Sequence, residues 1–235
     1  MRPSYPAALL ADLRIRVPLD GTARLLDLAC GTGQVAFALA ADVAEVWAVD
    51  QEAESIRYSR RKAQRLGVTN IHWIAATAED VPLDGDFDLV AIGNAFQRLD
   101  RDRVARRLVA HLRERGCVAL LWSATPWDGD RPWQRVLGNT FEQEAVGARE
   151  RVPREWKQAM DRDPHEAVLR RAGLAYEGKS NSRLSNDGAS SRSLVSSTRR
   201  RFSTRPSSAA MSTRSRTTSA GSSKRAARKA TSSKP

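Results

Sequence analysis

Cysteine and histidine are scarce in this sequence, with two of the first and three of the second in 235 residues. Cys30 and Cys117 fall in apolar runs far apart in the chain, which argues for reduced thiols and against a disulfide framework. No cluster of His, Cys, Asp or Glu has metal-ligand spacing, and no nucleophile-elbow signature occurs. His72 begins an apolar run, His111 lies within a helical pattern and His165 lies in the first turn of another, so packing or surface roles account for all three. Long apolar runs are also missing. None approaches the ~20 residues that span a bilayer, and the opening MRPSYPAALLADLRIR lacks the apolar centre of a signal peptide. The expectation is a soluble, cytoplasmic protein with no membrane partner.

Acidic residues are nearly absent from the last quarter of the chain. Residues 179–235 hold 14 Lys+Arg and one acid, Asp187, whereas the remainder holds 25 basic and 26 acidic residues. The formal net charge of +12 is therefore a property of the tail, and the near-neutral body gives no reason to expect a basic groove around its site. Bulky apolar residues in the tail from Ser180 onward are limited to Leu184, Leu194, Val195, Phe202 and Met211. Their burial would contribute roughly 8 to 15 kcal/mol, against an ordering cost on the order of 60 to 110 kcal/mol. Disorder is expected, and the chain divides into a body over residues 1–178 and a tail over 179–235. The run SSKRAARKATSSKP suits phosphate backbones held through counterion release, so nucleic acid is a partner open to the tail; a solvated appendage is the alternative.

The body alternates short apolar runs with longer amphipathic ones. RLLDLAC, EVWAVD, IHWIAA, FDLVAIGN and CVALLWS read as strands, with helices over GQVAFALAADV, AESIRYSRRKAQRLG and RDRVARRLVAHLRERG. Apolar strands separated by helices imply a mostly parallel sheet covered on both faces. Residues 5–17 form a leading helix, and DPHEAVLRRAGL a late one, with Asp163 as its N-cap. LAYEGK begins a further strand.

The turn CGTGQVA follows the first strand directly, so in an open parallel sheet Gly31 and Gly33 fall in the ligand crevice. GTGQVA also fits a dinucleotide-binding turn, which makes an NAD(P)-dependent oxidoreductase the competing reading. Asp50 ends the second strand, where a carboxylate accepts bonds from both hydroxyls of a ribose. Asp27 helps to choose between the two. It lies inside the first strand, where a carboxylate repels pyrophosphate and attracts an ammonium group such as the methionine end of S-adenosylmethionine. Bonding to the amides of its own loop is the alternative role.

These residues resemble the class I S-adenosylmethionine-dependent methyltransferases, in particular the small-molecule branch similar to quinone-biosynthesis enzymes. LLDLACGTGQVA is similar to the first motif of that family and AVDQE to its acidic ribose-binding position. TAEDVP resembles the segment after strand three, with Thr77 in place of an aspartate, and FDLVAIGNAFQRLD resembles the fourth-strand motif, with Gln97 where many members carry histidine. The four motifs cover residues 20–123.

The resemblance implies a Rossmann-like, doubly wound α/β fold and S-adenosylmethionine as cofactor. It places the ribose on Asp50 and Gln51, and the methionine end on Asp27 and the turn Ala29, Cys30, Gly31 and Gly33. The adenine goes to Ala78 and Glu79, with Asn94 beside the methyl. It implies transfer to oxygen or carbon of a small molecule, by an in-line displacement for which alignment matters more than a base. No catalytic base is assigned. Trp122, Trp127 and Trp133 follow the fifth strand, where they serve either an acceptor pocket or ordinary packing.

The likeness stops near Lys179. Residues 196–209 read one base out of register permit a more globular peptide, so a shifted reading frame is expected from there, leaving CVALLWS as an apolar sheet edge.

Overall fold

The computed structural model describes residues 5–123, 161–183 and 192–200, with isolated helical positions between 132 and 160. The leading helix α1 (Ala7–Arg16) precedes β1 (Arg24–Leu28), α2 (Gln34–Leu39), β2 (Glu45–Asp50), α3 (Ala53–Leu66), β3 (Ile71–Ala75) and β4 (Phe87–Gly93). There follow α4 (Arg101–Ala110), β5 (Leu112–Ser123), α5 (His165–Arg171), β6 (Leu174–Arg183) and β7 (Arg192–Arg200). The sheet order is β3-β2-β1-β4-β5-β7-β6, parallel from β3 through β5 and antiparallel where β7 joins β5 and β6.

Side chains alternate across a strand, and both faces of these strands are apolar, so each must be covered. Leu25, Val46, Ala48, Leu89 and Ala91 pack with Leu9 and Leu13 of α1, Val35 and Ala36 of α2, and Ile56 and Ala63 of α3. Leu26, Leu28, Val90, Ile92 and Val118 pack on the other face with Val104 and Leu108 of α4 and Val168 and Leu169 of α5. Asp27 is the exception. It shares the face of Leu25 and is 2% exposed within an otherwise apolar layer.

Three local expectations are corrected. The helical pattern RDRVARRLVAHLRERG ends at Ala110, and LRERG belongs to β5. Pairing overrides the periodicity there: Phe87 N donates to His111 O at 2.8 Å, Arg113 reaches Asp88 at 2.9 Å, and the buried Leu112 stands opposite Phe87. Gly116 permits the close approach, since a Cβ there would lie 2.8 Å from the Phe87 carbonyl oxygen. The N-cap of α5 is Pro164. Asp163 instead takes Arg171 through both carboxylate oxygens, at 2.6 and 2.8 Å, which lowers its pKa, and its carbonyl accepts from Arg101 at 2.7 Å.

The expected apolar edge is also covered, because β7 pairs with β5 from Cys117↔Arg199 to Ser123↔Ser193. Strand pairing thus runs beyond the boundary expected at residue 178. Trp127 and the tail after Arg200 lie outside the described residues. Among the described residues no helix is long and apolar enough to cross a membrane.

Candidate active site

The C-terminal ends of β1, β2 and β4 open into one cavity of about 1190 Å³. Its wall includes every residue expected at the cofactor site except Gly33. The strand order explains the convergence. From β1 the chain moves outward through β2 to β3, then crosses back to β4 on the other side of β1, leaving a crevice where the order reverses.

Asp27 Oδ2 accepts from Ala36 N at 2.9 Å, tying β1 to the first turn of α2. Burial pushes its carboxyl up to about 7, and the nearby charge of Asp50 adds to the rise. A cationic ligand at this wall would oppose both effects. The loop-bonding role and a ligand-facing role therefore coexist at Asp27. Burial likewise drives the Cys30 thiol well above its ordinary range, with Asp27 and Asp50 contributing, so this cysteine is a neutral wall residue.

Asp50 organises the turn. Its Oδ2 accepts from Gly31 N at 2.7 Å and its Oδ1 from Glu52 N at 2.9 Å. Each carboxylate oxygen has a second lone pair, so capacity for further donors remains. Gln51 follows it in the wall and is exposed.

Ala29 and Asn94 carry positive φ, 56° and 52°, at the ends of the adjacent strands β1 and β4. Such geometry is uncommon without glycine, and it turns backbone toward the crevice. Asn94 is held there from three sides. Its N donates to Leu121 O at 2.8 Å, its carbonyl accepts from Gln97 Nε2 at 3.2 Å, and its Nδ2 donates to the Tyr5 hydroxyl at 3.5 Å. Ala29→Gly should relieve the strain at β1 and raise stability by roughly 0.5 to 1 kcal/mol, read as a small increase in melting temperature.

On the far side, Glu79 Oε1 accepts from Asp100 N at 2.9 Å, joining the loop after β3 to the start of α4. Arg107 of α4 donates to the carbonyls of Ala78, at 3.2 Å, and Glu79, at 2.5 Å. Thr77 closes the same loop through Oγ1, which donates to Asp80 at 3.0 Å.

Gly33 has another task. It caps α2 with φ 73°, and a Cβ there would run into the Trp73 ring, 2.8 Å from Cζ3.

Several wall residues carried no sequence signal. Tyr5 arrives from the segment just before α1, and Tyr58 and Lys62 from α3. The Lys62 ammonium sits 4.2 Å from the Phe37 ring centroid. The amphipathic pattern of α3 announces a helix without saying which polar residues meet the crevice.

None of the three histidines lines the cavity. His72 Nε2 meets Glu45 at 3.1 Å, and His111 Nδ1 meets the Gly85 carbonyl at 3.1 Å. His165 stacks on Trp122 with centroids 5.1 Å apart and 7° between the planes, with Arg101 at 3.2 Å from its Nδ1. Trp122 thus packs on α5, and Trp133 is exposed.

A methyltransferase domain family model matches residues 25–116. The chain is 30% identical over 153 residues to an uncharacterized methyltransferase of Mycobacterium tuberculosis, covering 64% of this chain and 58% of that protein. It is 38% identical over 72 residues to an uncharacterized RNA methyltransferase of Thermosynechococcus vestitus, covering 31% of this chain and 16% of the other. The chain thus spans less than two thirds of the length of these curated relatives.

Among solved structures, the YcgJ protein from Bacillus subtilis superimposes with a TM-score of 0.56 at 18% identity, covering 82% of this chain and 98% of that one. The N-methyltransferase NodS from Bradyrhizobium japonicum, in complex with S-adenosyl-L-homocysteine, gives 0.53 at 14% identity, covering 81% and 84%. These two likenesses concern the fold. The family match falls on the glycine turn and favours the first of its two readings: residues 25–116 are similar to a methyltransferase domain.

Proposed function

We propose that the cavity binds S-adenosylmethionine and that the chain transfers its methyl group to oxygen or carbon of a small-molecule acceptor. The observation that carries this reading is the meeting of two carboxylates, Asp27 and Asp50, in one cavity at the ends of adjacent strands. A pyrophosphate-bearing dinucleotide would meet the carboxylate of Asp27 at the turn, whereas an amino-acid nucleoside has a cationic end for Asp27 and, like the dinucleotide, ribose hydroxyls for Asp50.

When bound, S-adenosylmethionine supplies a methyl on a sulfonium leaving group. The residues present suit it. Asp27 offers a buried anion to the ammonium, Asp50 offers free lone pairs to the ribose, and the left-handed backbone at Ala29 and Gly31 leaves room for close approach. The loop at Ala78 and Glu79, clamped by Arg107, would border the adenine. The chain's part in the reaction is alignment and exclusion of water, which requires no protein base. A cavity of about 1190 Å³ has room for a small acceptor beside the cofactor.

Calorimetry on the full chain tests the reading. S-adenosylhomocysteine should bind, NAD should not, and Asp50→Ala should weaken S-adenosylhomocysteine by about 1.5 to 3 kcal/mol, the scale of a charge-assisted hydrogen bond. Tight NAD binding, or an Asp50→Ala variant with unchanged affinity, would overturn it.

A further inference from the structure

The near-zero charge of the body is unevenly spread. Helix α3 holds five cations, Arg57, Arg60, Arg61, Lys62 and Arg65, against one acid, Glu54. Its inward side is fixed by the buried Ile56, Ser59 and Ala63, which leaves Arg57, Tyr58, Arg61 and Arg65 exposed. Arg60 turns aside to the Trp73 carbonyl at 3.0 Å, and Arg57 is paired with Glu54. Among the described residues, Arg61 and Arg65 make no hydrogen bond or ion pair. Arg57, Arg61 and Arg65 follow one another at i, i+4 spacing, in steps of about 6 Å along the helix axis. Like charges so spaced repel and weaken a helix, and an anionic chain laid along the stripe removes that repulsion.

Two observations choose the partner. The stripe is built from arginine, whose planar fork grips phosphate through two parallel bonds. Beside it stands Tyr58, 43% exposed, with Lys62 one turn further on and its ammonium 4.2 Å from the Phe37 ring centroid. An exposed phenol ring among cations is a platform for an unpaired base, a feature that an acidic peptide does not use. Tyr58 forms a shallow surface pocket with Arg61, Gln64 and Arg65, and it also belongs to the wall of the large cavity, so the stripe adjoins the candidate site. We propose that the exposed face of α3 binds single-stranded nucleic acid, with phosphates on Arg61 and Arg65 and one base stacked on Tyr58. This surface lies in the body, apart from the basic tail, and does not depend on the cofactor reading.

Fluorescence anisotropy of the full chain with a labelled single-stranded RNA, followed against salt, tests this, since every variant keeps the same tail. Arg61→Gln and Arg65→Gln together should lower the slope of log affinity against log salt by about 1.4, the value for two phosphate contacts on a single strand. That double variant loses like-charged neighbours and should melt no lower than the unaltered chain. Tyr58→Ala should weaken the RNA about five- to a hundredfold and leave the salt slope unchanged. Affinity and slope unchanged in these variants would assign nucleic acid to the tail alone. Polyglutamate that competes as well as the RNA would make the face a general anion surface. Either result, or no binding of RNA by the unaltered chain, overturns the proposal.

Discussion

Asp27→Asn should make the protein more stable at pH 8 while weakening the proposed binding of S-adenosylmethionine. The carboxyl is buried and titrates near 7 in the folded chain, against 3.8 for an unperturbed aspartate. Below about pH 4 both folded and unfolded states carry the proton, and the group costs nothing. Between pH 4 and 7 the unfolded state ionises while the folded state does not, so stability falls as pH rises. Above 7 both are ionised and the penalty levels off at about 4 kcal/mol.

The amide of asparagine retains an oxygen for Ala36 N and removes the charge. The expected result is a melting temperature roughly 8 to 16 °C higher at pH 8, a difference that closes toward pH 4. Binding should move the other way. The lost charge-assisted bond should weaken the cofactor by about 1.5 to 3 kcal/mol, and the affinity of the unaltered chain should decline as pH falls through 7. A variant that is less stable at pH 8 and binds normally would assign Asp27 to the loop alone.

The second large effect separates two glycines of one turn. Gly33→Ala places a methyl against Trp73 at a backbone φ of 73°. Trp73 is 8% exposed and packs on Phe37 with centroids 5.3 Å apart, so it has little room to withdraw. Strain and overpacking together should cost about 3 to 5 kcal/mol, seen as a lower denaturant midpoint. Gly31→Ala is the counterpart. Its φ is 55°, but a Cβ there meets nothing within 4 Å and projects from a residue of the cavity wall. That variant should lose only about 1 to 2 kcal/mol of stability and a larger share of cofactor affinity. Equal stability losses at both positions would contradict the packing role of Gly33.

The contrast shows which parts of the site were readable in the sequence. Asp27 and Asp50 were legible because their placement depends only on where strands end, and strand ends are marked by apolar runs meeting a glycine or an acid. The parallel core was legible for the same reason. Gly33 was legible as a turn residue but not as a packing residue, since Trp73 is brought to it by the pairing of β2 with β3. Tyr5 and Arg107 were hidden more deeply. Both act across the fold, Tyr5 on Asn94 and Arg107 on the carbonyls of the loop after β3, and neither contact leaves a periodic trace. The run LRERG failed differently, because a helical pattern of charges gave way to pairing with β4.

The antiparallel end of the sheet bears on how the chain matures. β7 lies between β5 and β6, so β6 joins the backbone ladder through a strand that is synthesised after it. While the ribosome is still short of residue 192, β5 lacks its neighbour and β6 waits without one. A nascent chain halted there forfeits two strands for want of nine residues and leaves the apolar β5 with an open edge.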